Sequence, residues 1–399
     1  MNKQVIGRLL IVRGLRALAD GYVSLLLPVY LLALGMTPFQ VGAIATATLV
    51  GSGALTMIAG LYAWRFNYRS LLLAASFVMI GTGLGFAAFS HFWPLLLIAF
   101  VGTLNPSNGD VSVFLPLEYA VLSINSEDNS RTASFARYSL VGALLAAIGA
   151  CLAATPDLLV TKLGITPTAA LQCMFLLYGA CGVASAVIYA TLPEERDTTH
   201  QQPAPLRQGK QRVFMLAALF CIDALGGGFV VQSMLALWLF QKFNLSPTLA
   251  GTIFFGTGLF SAFSYLVAVR IAKKIGLVNT MVFTHLPSNL CLIAMPFAPN
   301  LGWVIALLLM RGALSQMDVP TRSSYVMAIV PPEERAASAA VTSVPRSLAA
   351  SAGPFMAGYL LSISSFGWPL IVSGALKTIY DLLLLAMFRT VKPPEESTA

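Results

Sequence analysis

The chain is a succession of long apolar runs, each bounded by charged residues or by Pro, Gly and Asn. Most runs reach about 20 residues, the length that an α-helix needs to cross the hydrocarbon core of a bilayer. Their apolar positions lack the two-residue alternation of a strand, so the pattern predicts helices. Segmentation at the polar boundaries predicts twelve spans, at 9–34, 38–63, 70–90, 93–122, 132–153, 168–191, 213–240, 247–269, 277–297, 302–329, 336–363 and 368–389.

Several short patterns occur twice, at an almost constant separation. Thr37-Pro38 recurs as Ser246-Pro247, 209 positions later, and Asp110 recurs as Asp318, 208 positions later. Two further patterns repeat at the same distance. A constant separation over four places indicates a duplicated half, and a duplicated helical half is the usual architecture of a secondary transporter.

The repeat and one polar stretch predict the domain organisation. The stretch at 192–212 is rich in Pro and Gln and is expected to be a cytoplasmic linker. It separates a six-helix half at 1–191 from a second at 213–390, which a short cytoplasmic tail at 391–399 follows.

Composition also favours a membrane protein. The chain is 57% hydrophobic and only 10% charged, with a mean hydropathy of +0.79, whereas soluble domains carry roughly 25% charged residues. In lipid, backbone polar groups must bond to one another, which leaves helices or closed barrels. The expected fold class is therefore an all-α integral membrane protein, with twelve transmembrane helices in two pseudo-symmetric six-helix bundles.

The distribution of basic residues predicts the orientation. Fifteen Lys and Arg residues fall in the loops and ends on one side, and only Lys162 and Lys242 fall on the other. By the positive-inside rule both termini are cytoplasmic, and the expected location is the plasma (inner) membrane. The net charge of +8 then reflects topology, and nucleic acid is not an expected partner. The first span lacks a small-residue cleavage site, so we expect it to be retained.

Enzymatic chemistry finds no support in the pattern. The three histidines, His91, His200 and His285, are scattered, and the five cysteines lie in apolar spans without a Cys-x-x-Cys pair. A nucleophile–base set, a metal cluster and a phosphate-binding Gly loop are all missing from the sequence. We therefore expect neither an enzyme nor a cofactor.

Together these features resemble the major facilitator superfamily, over almost the whole chain. That family's signature, between spans two and three, runs Gly, three residues, an acid, a base, Gly and further bases. This chain has Gly60, then Trp64 at the acid position, Arg65 at the base, Asn67 at the second Gly, and Arg69. The antiporter-type Gly-Pro motif of span five is missing, so the subfamily is not identified. The resemblance implies a monomer that works by alternating access, with a gating role for Arg65.

Ionisable residues inside the spans are the candidate functional groups, because each costs roughly 2.5–3.5 kcal/mol at a helix centre. In span one, Arg16 and Asp20 are four residues apart and can pair on one helix face. Asp20 is either a proton-coupling carboxylate that competes with substrate or half of a permanent ion pair. Arg16 is a candidate substrate ligand.

Two further spans supply polar candidates. In span four, Asn105 and Asn108 flank Pro106 and Gly109, which are expected to break the helix, and broken helices in transporters can bind ligands. Span seven, which usually lines the cavity in the resembling family, carries Asp223 and Gln232. We assign Asp223 to proton coupling and the three amides to substrate binding.

Span ten contains Arg311, Asp318 and Arg322 at positions i, i+7 and i+11, which would lie on one face of a helix. Arg311 and Gln316 are candidates for holding an anionic or carbonyl-bearing solute. The competing interpretation is that Asp318 neutralises both arginines.

Other charges are assigned to gating or structure. The duplicated positions predict two clamps, Asp110 with Arg137 and Asp318 with Arg346. Near the cytoplasmic ends, the residues expected to be solvated gates or helix caps are Glu118, Arg131 and Arg335. In span twelve, Lys377 and Asp381 are expected to neutralise each other, and His285 in span nine is expected to be a hydrogen-bonded structural residue.

The favoured function is a secondary active transporter of a small organic solute, with proton-coupled efflux of a drug or metabolite. The alternative is a uniporter or importer of a small anionic metabolite that uses the intramembrane arginines. Proton movement and the charge of competing solutes would separate them. The expected partners are a small-molecule substrate, protons and the lipid bilayer.

Overall fold

A computed structural model describes residues 3–62, 66–107, 112–126, 128–194, 210–328, 330 and 334–389, and throughout these ranges the regular structure is helical. The helices of the first half are α1 (Lys3–Ala33), α2 (Pro38–Tyr62), α3 (Tyr68–Ala88), α4 (Phe92–Val101), α5 (Phe114–Asn125), α6 (Asp128–Cys151), α7 (Thr155–Leu163) and α8 (Pro167–Ala190). Those of the second half are α9 (Lys210–Phe229), α10 (Gln232–Phe243), α11 (Pro247–Ile275), α12 (Leu277–Ala294), α13 (Leu301–Leu314), α14 (Asp318–Ala328), α15 (Arg335–Ile363) and α16 (Trp368–Phe388).

These helices confirm the expected all-α membrane fold. Within the described ranges, eight stretches are long and apolar enough to cross a membrane, and α4 and α13 are shorter apolar helices. Large apolar side chains are exposed on the outside of the fold: Trp93 is 75% exposed, Phe77 66% and Leu97 65%. An outer surface of large apolar side chains fits surrounding lipid, so the chain needs few charged residues to cover its surface.

Local sequence signals set several helix ends. At the start of α8, the Thr166 side chain accepts a hydrogen bond from the Ala169 amide, and Asn300 caps α13 in the same way through the Trp303 amide. At their C-terminal ends, α7 stops at Gly164 and α10 at Asn244, and both residues adopt the left-handed conformation that reverses the chain.

The chain forms two compact units. Unit 1 comprises Met1–His200 with Val231–Phe255, and unit 2 comprises Gln201–Val230 with Gly256–Ala399. The helices α10 and the first part of α11 therefore pack within unit 1, beside α1. Most of the expected linker at 192–212 lies outside the described residues, and the expected division at 191 and 213 stays a prediction.

In unit 1, glycines let neighbouring backbones touch. A Cβ at Gly21 of α1 would lie 2.2 Å from the Ala146 carbonyl oxygen of α6, and one at Gly149 of α6 would lie 2.1 Å from the Leu18 carbonyl oxygen. Close approach of small residues is the usual way in which helices associate inside a membrane. It holds α1 against α6 and so determines where the charged side chains of α1 point.

In unit 2 the corresponding contact joins α9 to α15. A Cβ at Gly228 would lie 2.2 Å from the Ala350 carbonyl oxygen, and one at Gly353 would lie 2.3 Å from the Gly228 carbonyl carbon. On its other side α9 meets α16, where the Ser373 hydroxyl donates to the Gly226 carbonyl oxygen at 2.7 Å. The glycine run 226–228 is thus packed closely between α15 and α16.

Candidate functional site

The fourth span is broken where the sequence predicts a break. Helix α4 ends at Val101 and α5 begins at Phe114. Between them Asn105 is 97% buried (3% exposed), and its Oδ1 accepts hydrogen bonds from the Ser107 amide at 3.1 Å and the Ser107 hydroxyl at 2.8 Å. The Pro106 carbonyl oxygen accepts from the Ser233 amide of α10 at 3.0 Å. The freed backbone groups are thus bonded within unit 1.

The tenth span has the equivalent break. Helix α13 ends at Leu314 and α14 begins at Asp318, so the intervening residues 315–317 lie 209 positions after residues 106–108. Gln316 lies in this break and is partly buried. The two halves therefore repeat an interrupted helix as well as a sequence pattern, and the interruption disrupts the single face expected for Arg311, Asp318 and Arg322.

In unit 1 a buried cluster surrounds Glu118. Arg16 of α1 forms a salt bridge to Glu118 Oε2, and the Tyr138 hydroxyl donates to the same oxygen. The Tyr189 hydroxyl donates to Oε1 at 2.6 Å. The Arg16 guanidinium also lies 4.2 Å from the ring centroid of Phe114. Both carboxylate oxygens and the facing cation are thus bonded in the core.

The cluster corrects one expectation for unit 1. Glu118 was expected to be a solvated gate residue, but its side chain is completely buried. An ionised carboxylate cannot be buried without a cation and hydrogen-bond donors, and Arg16 with two tyrosines supplies them. Arg16 itself is engaged with a carboxylate 102 residues away, instead of only with Asp20 on its own helix.

Asp20 differs from the other intramembrane acids in its accessibility. It is partly buried, whereas Glu118, Asp223, Asp318 and Asp381 are between 0% and 4% exposed. Asp20 acts electrostatically on the Tyr178 hydroxyl and the Cys181 thiol of α8.

In unit 2 Asp223 is the centre of a second cluster. Its Oδ1 accepts from the Lys377 ammonium of α16 at 2.6 Å, and its Oδ2 accepts from Arg322 of α14 at 3.1 Å. Arg322 also donates to Asp318, four residues before it, at 3.0 Å. Two acids and two bases, each only 2% to 8% exposed, thus form one connected network.

In this network the ion pair of Asp318 is with Arg322, and the expected clamp of Asp318 with Arg346 is present only as an electrostatic interaction. Asp318 bonds Arg322 on its own helix, because the i, i+4 spacing of α14 places the two side chains together. Arg346 acts electrostatically on Arg322, Asp223 and Asp318, and its Nε is buried without a hydrogen-bond partner among the described residues.

Two further arginines, Arg137 and Arg311, differ in exposure. Arg137, the first-half counterpart of Arg346, is exposed. Arg311 is partly buried and lies near Cys291 of α12; its Nε has no hydrogen-bond partner in the part of the chain that the structure describes. The view that Asp318 neutralises both Arg311 and Arg322 is therefore half right, since only Arg322 bonds it.

Helix α16 carries a second buried carboxylate. Asp381 is completely buried; its Oδ1 lies 3.1 Å from His285 Nδ1, and its Oδ2 accepts from Asn289 of α12 at 2.7 Å. The expected pairing of Lys377 with Asp381 is wrong, because each is bonded to another helix. His285 is hydrogen-bonded, as expected.

Several predicted residues remain without a side-chain description. Arg65, Asn108 and Asp110 lie outside the described residues, and Arg131 and Arg335 are described only as members of α6 and α15. Gln232 is buried at the first turn of α10.

Sequence reasoning missed Tyr138, Tyr189 and Asn289. Buried tyrosines and amides within apolar spans could have suggested partners for the acids, since buried hydroxyls require hydrogen bonds. Nothing in the sequence identified which acid each would bond.

Comparisons with known proteins agree with this architecture. The sequence profile of the Major Facilitator Superfamily matches residues 9–236 and 216–399. An uncharacterized membrane protein of Saccharomyces cerevisiae, YJR124C, is 28% identical over 411 residues, covering 94% of this chain and 92% of the yeast protein.

Solved transporter structures share the fold. The nucleoside transporter NupG has a TM-score of 0.74 at 12% identity, covering 98% of this chain and 100% of NupG. A bacterial homologue of the iron transporter ferroportin has a TM-score of 0.75 at 14% identity, covering 97% and 99%. The xylose transporter XylE from E. coli has a TM-score of 0.74 at 13% identity, covering 98% and 97%.

Proposed function

The chain belongs to the Major Facilitator Superfamily, and from this premise we propose that it couples the transport of a small organic solute to protons. Transport of small solutes across a membrane is the activity of the family and of the structural neighbours. Coupling, solute class and direction are the parts that we infer from the residues. We assign the chain to efflux across the plasma membrane, with both termini cytoplasmic and one copy sufficient.

The accessibility of Asp20 carries this proposal. A coupling acid must exchange protons with water or solute during the transport cycle, and a buried acid in a salt bridge does so poorly. Among the acids of the predicted spans that the structure describes, Asp20 is partly exposed, whereas Glu118, Asp223, Asp318 and Asp381 are buried.

Asp223 then has a supporting role. Two cations contact it, Lys377 at 2.6 Å and Arg322 at 3.1 Å, and paired cations favour the ionised form of a carboxylate. We therefore keep proton coupling at Asp20 alone of the two expected acids, and treat Asp223 as the anion that holds α9, α14 and α16 together.

For the solute we propose the amides beside the helix breaks. In unit 1 Asn105 and Gln232 lie on either side of the hydrogen bond from Ser233 to Pro106; Gln316 occupies the equivalent break in unit 2. Amides offer both donors and acceptors, which suits a polar organic solute. Asn108 belongs to the same proposal, and Asp110, Arg65, Arg131, Arg137 and Arg335 remain proposed gate residues.

One observation favours the alternative of an anionic solute. Arg311 and Arg346 each have a buried Nε without a hydrogen-bond partner among the described residues. Guanidinium groups inside a membrane require anions, and a carboxylate or phosphate on the solute would provide one. In that case the protein would be a uniporter or importer.

The experiment that separates the two uses purified protein in liposomes with an internal pH dye. Cationic, neutral and anionic solutes are added to the wild type, to Asp20→Asn and to Asp157→Asn. Asp157 is a matched control, because it is a partly buried carboxylate of unit 1 whose partner is the Thr248 hydroxyl at 2.6 Å. We expect solute-dependent proton movement in the wild type and in the control, and none in Asp20→Asn.

The contrary result is equally clear. Solute flux without proton movement, unchanged in Asp20→Asn, would remove the coupling proposal. If the flux then fell in Arg311→Gln for anionic solutes only, the uniporter of an anionic metabolite would replace it.

A further inference from the structure

The pair formed by His285 and Asp381 in unit 2 is unused by the transport proposal. His285 is 3% exposed, and Asp381 and Asn289 are 0% exposed. Asn289 and the imidazole bond one carboxylate oxygen each, at 2.7 and 3.1 Å. Histidine is the side chain whose ordinary change of charge lies between about pH 5 and 8, and this imidazole lies directly against a carboxylate. The pair lies on α12 and α16 of unit 2, whereas Asp20 belongs to unit 1.

The pair is connected to the Asp223 network through one helix. Lys377 precedes Asp381 by four residues on α16, a spacing at which two side chains can touch. In the structure Lys377 bonds Asp223 of α9 instead, at 2.6 Å. One ammonium is therefore within reach of two carboxylates, and only one of them is its partner.

The surrounding charges make this choice depend on His285. The groups that act on the pair are Asp223 of α9, Lys377 and Tyr380 of α16, and Asn289 of α12 itself. Arg322 of α14 acts on Asp223 and Tyr380, and Arg311 of α13 lies near Cys291 of α12. With a neutral imidazole, Asp381 has no formal positive charge in direct contact among the described residues. With an imidazolium, Asp381 is neutralised where it stands.

We propose that His285 and Asp381 form a proton-binding site, and that the proton bound there decides which carboxylate Lys377 neutralises. The proton adds to the free ring nitrogen, Nε2, while Nδ1–H donates to Asp381. The imidazolium and the carboxylate then form a neutral pair, and Lys377 stays on Asp223, which is the arrangement in the structure. Loss of the proton leaves Asp381 anionic, and Lys377 moves one turn along α16 to reach it.

The exchange would act on the glycine run of α9. When Lys377 leaves Asp223, that carboxylate keeps only Arg322, and α16 loses its ionic contact with α9. The remaining contact is the hydrogen bond from Ser373 to Gly226 at 2.7 Å, and the Lys377 stem packs on Gly226, where a Cβ would lie 3.1 Å from Cγ. Proton binding at His285 thus controls whether the Lys377–Asp223 ion pair holds α16 against the end of α9 that contains the glycine run.

Only one consequence of this inference rests on the proposed function, namely that the site would add a second proton to the transport cycle. Its test needs no solute. Protein carrying His91→Gln and His200→Gln keeps His285 as the one histidine; His91 is exposed, and His200 lies outside the described residues. In lipid nanodiscs, the ¹⁵N resonances of labelled His285 and of the Lys377 ammonium, which Lys377→Arg identifies, are followed from about pH 5 to pH 8.

We expect His285 to convert between its neutral and charged forms in this range, and the Lys377 resonance to shift with the same midpoint. In Asp381→Asn the shift of Lys377 should disappear. A histidine that keeps one form throughout would overturn the proposal, and so would a titrating histidine with an unmoved Lys377. Because no transport is measured, a failure of solute coupling at Asp20 would leave this result untouched, and the reverse also holds.

Discussion

Arg16 forms its salt bridge with Glu118, a residue 102 positions away on α5, and both side chains are buried. Two tyrosine hydroxyls share the same carboxylate. The pair joins the first span to α5, the part of the fourth span that follows the break. It thus holds the interrupted helix to the core of unit 1. Removing this salt bridge should therefore reduce the stability of the fold more than it reduces solute binding.

Glu118→Gln should lower the free energy of unfolding by about 3–5 kcal/mol, because it leaves the Arg16 cation buried without its anion. Glu194→Gln is the matched control: Glu194 also pairs with an arginine, Arg69 at 3.3 Å, but is 67% exposed. Exposed pairs contribute about 0–1 kcal/mol. Chemical unfolding in mixed micelles measures both. Equal losses in the two variants would show that the buried pair is not a structural one.

Lys377→Met should destabilise the protein, because Asp223 then keeps only Arg322 as a partner. Adding Asp223→Asn should restore part of the loss, since it removes the stranded charge. We expect a coupling energy of about 0.5–3 kcal/mol between the two substitutions, the range for residues in direct contact. Thermal unfolding of the two single variants and the double variant gives this value, and strictly additive effects would contradict the network.

Gly228→Ala should be poorly tolerated, because its Cβ would lie 2.2 Å from the Ala350 carbonyl oxygen. Two backbones would have to separate, at a cost of about 1–3 kcal/mol. Gly227→Ala provides the control in the same glycine run, since its nearest neighbour, Lys377 Nζ, would be 3.7 Å away. The ratio of folded to aggregated protein after heating compares them. Comparable losses would mean that the α9–α15 contact is looser than the structure has it.

Asn105→Ala should cost more stability than Ser107→Ala. The first substitution leaves the Ser107 amide without its 3.1 Å acceptor, whereas the second removes only the 2.8 Å hydroxyl bond. A buried donor without a partner costs about 1–3 kcal/mol. Unfolding temperatures of the purified variants test the order. If Ser107→Ala is the more damaging, the Asn105 side chain does not hold the break, and a direct role in solute binding becomes the better explanation.

The sequence alone determined the class of protein and its helices, and its repeat predicted two halves. Long apolar runs must become helices in lipid, because the backbone has no other donors and acceptors there, and Pro106 with Gly109 marked the break in span four. These signals are local, so they can be read along the chain.

The tertiary structure decided which charges meet. Two pairings expected from an i, i+4 spacing failed or were incomplete: Arg16 bonds Glu118, and Lys377 bonds Asp223 instead of Asp381. Asp318, by contrast, does bond Arg322 four residues away. An i, i+4 spacing permits a contact, but a buried ion takes whichever partner best compensates its desolvation. That partner depends on how close two helices come, and here the approach is set by glycine contacts such as Gly21 on Ala146 and Gly228 on Ala350. Such contacts depend on helix pairing, which no single stretch of sequence specifies.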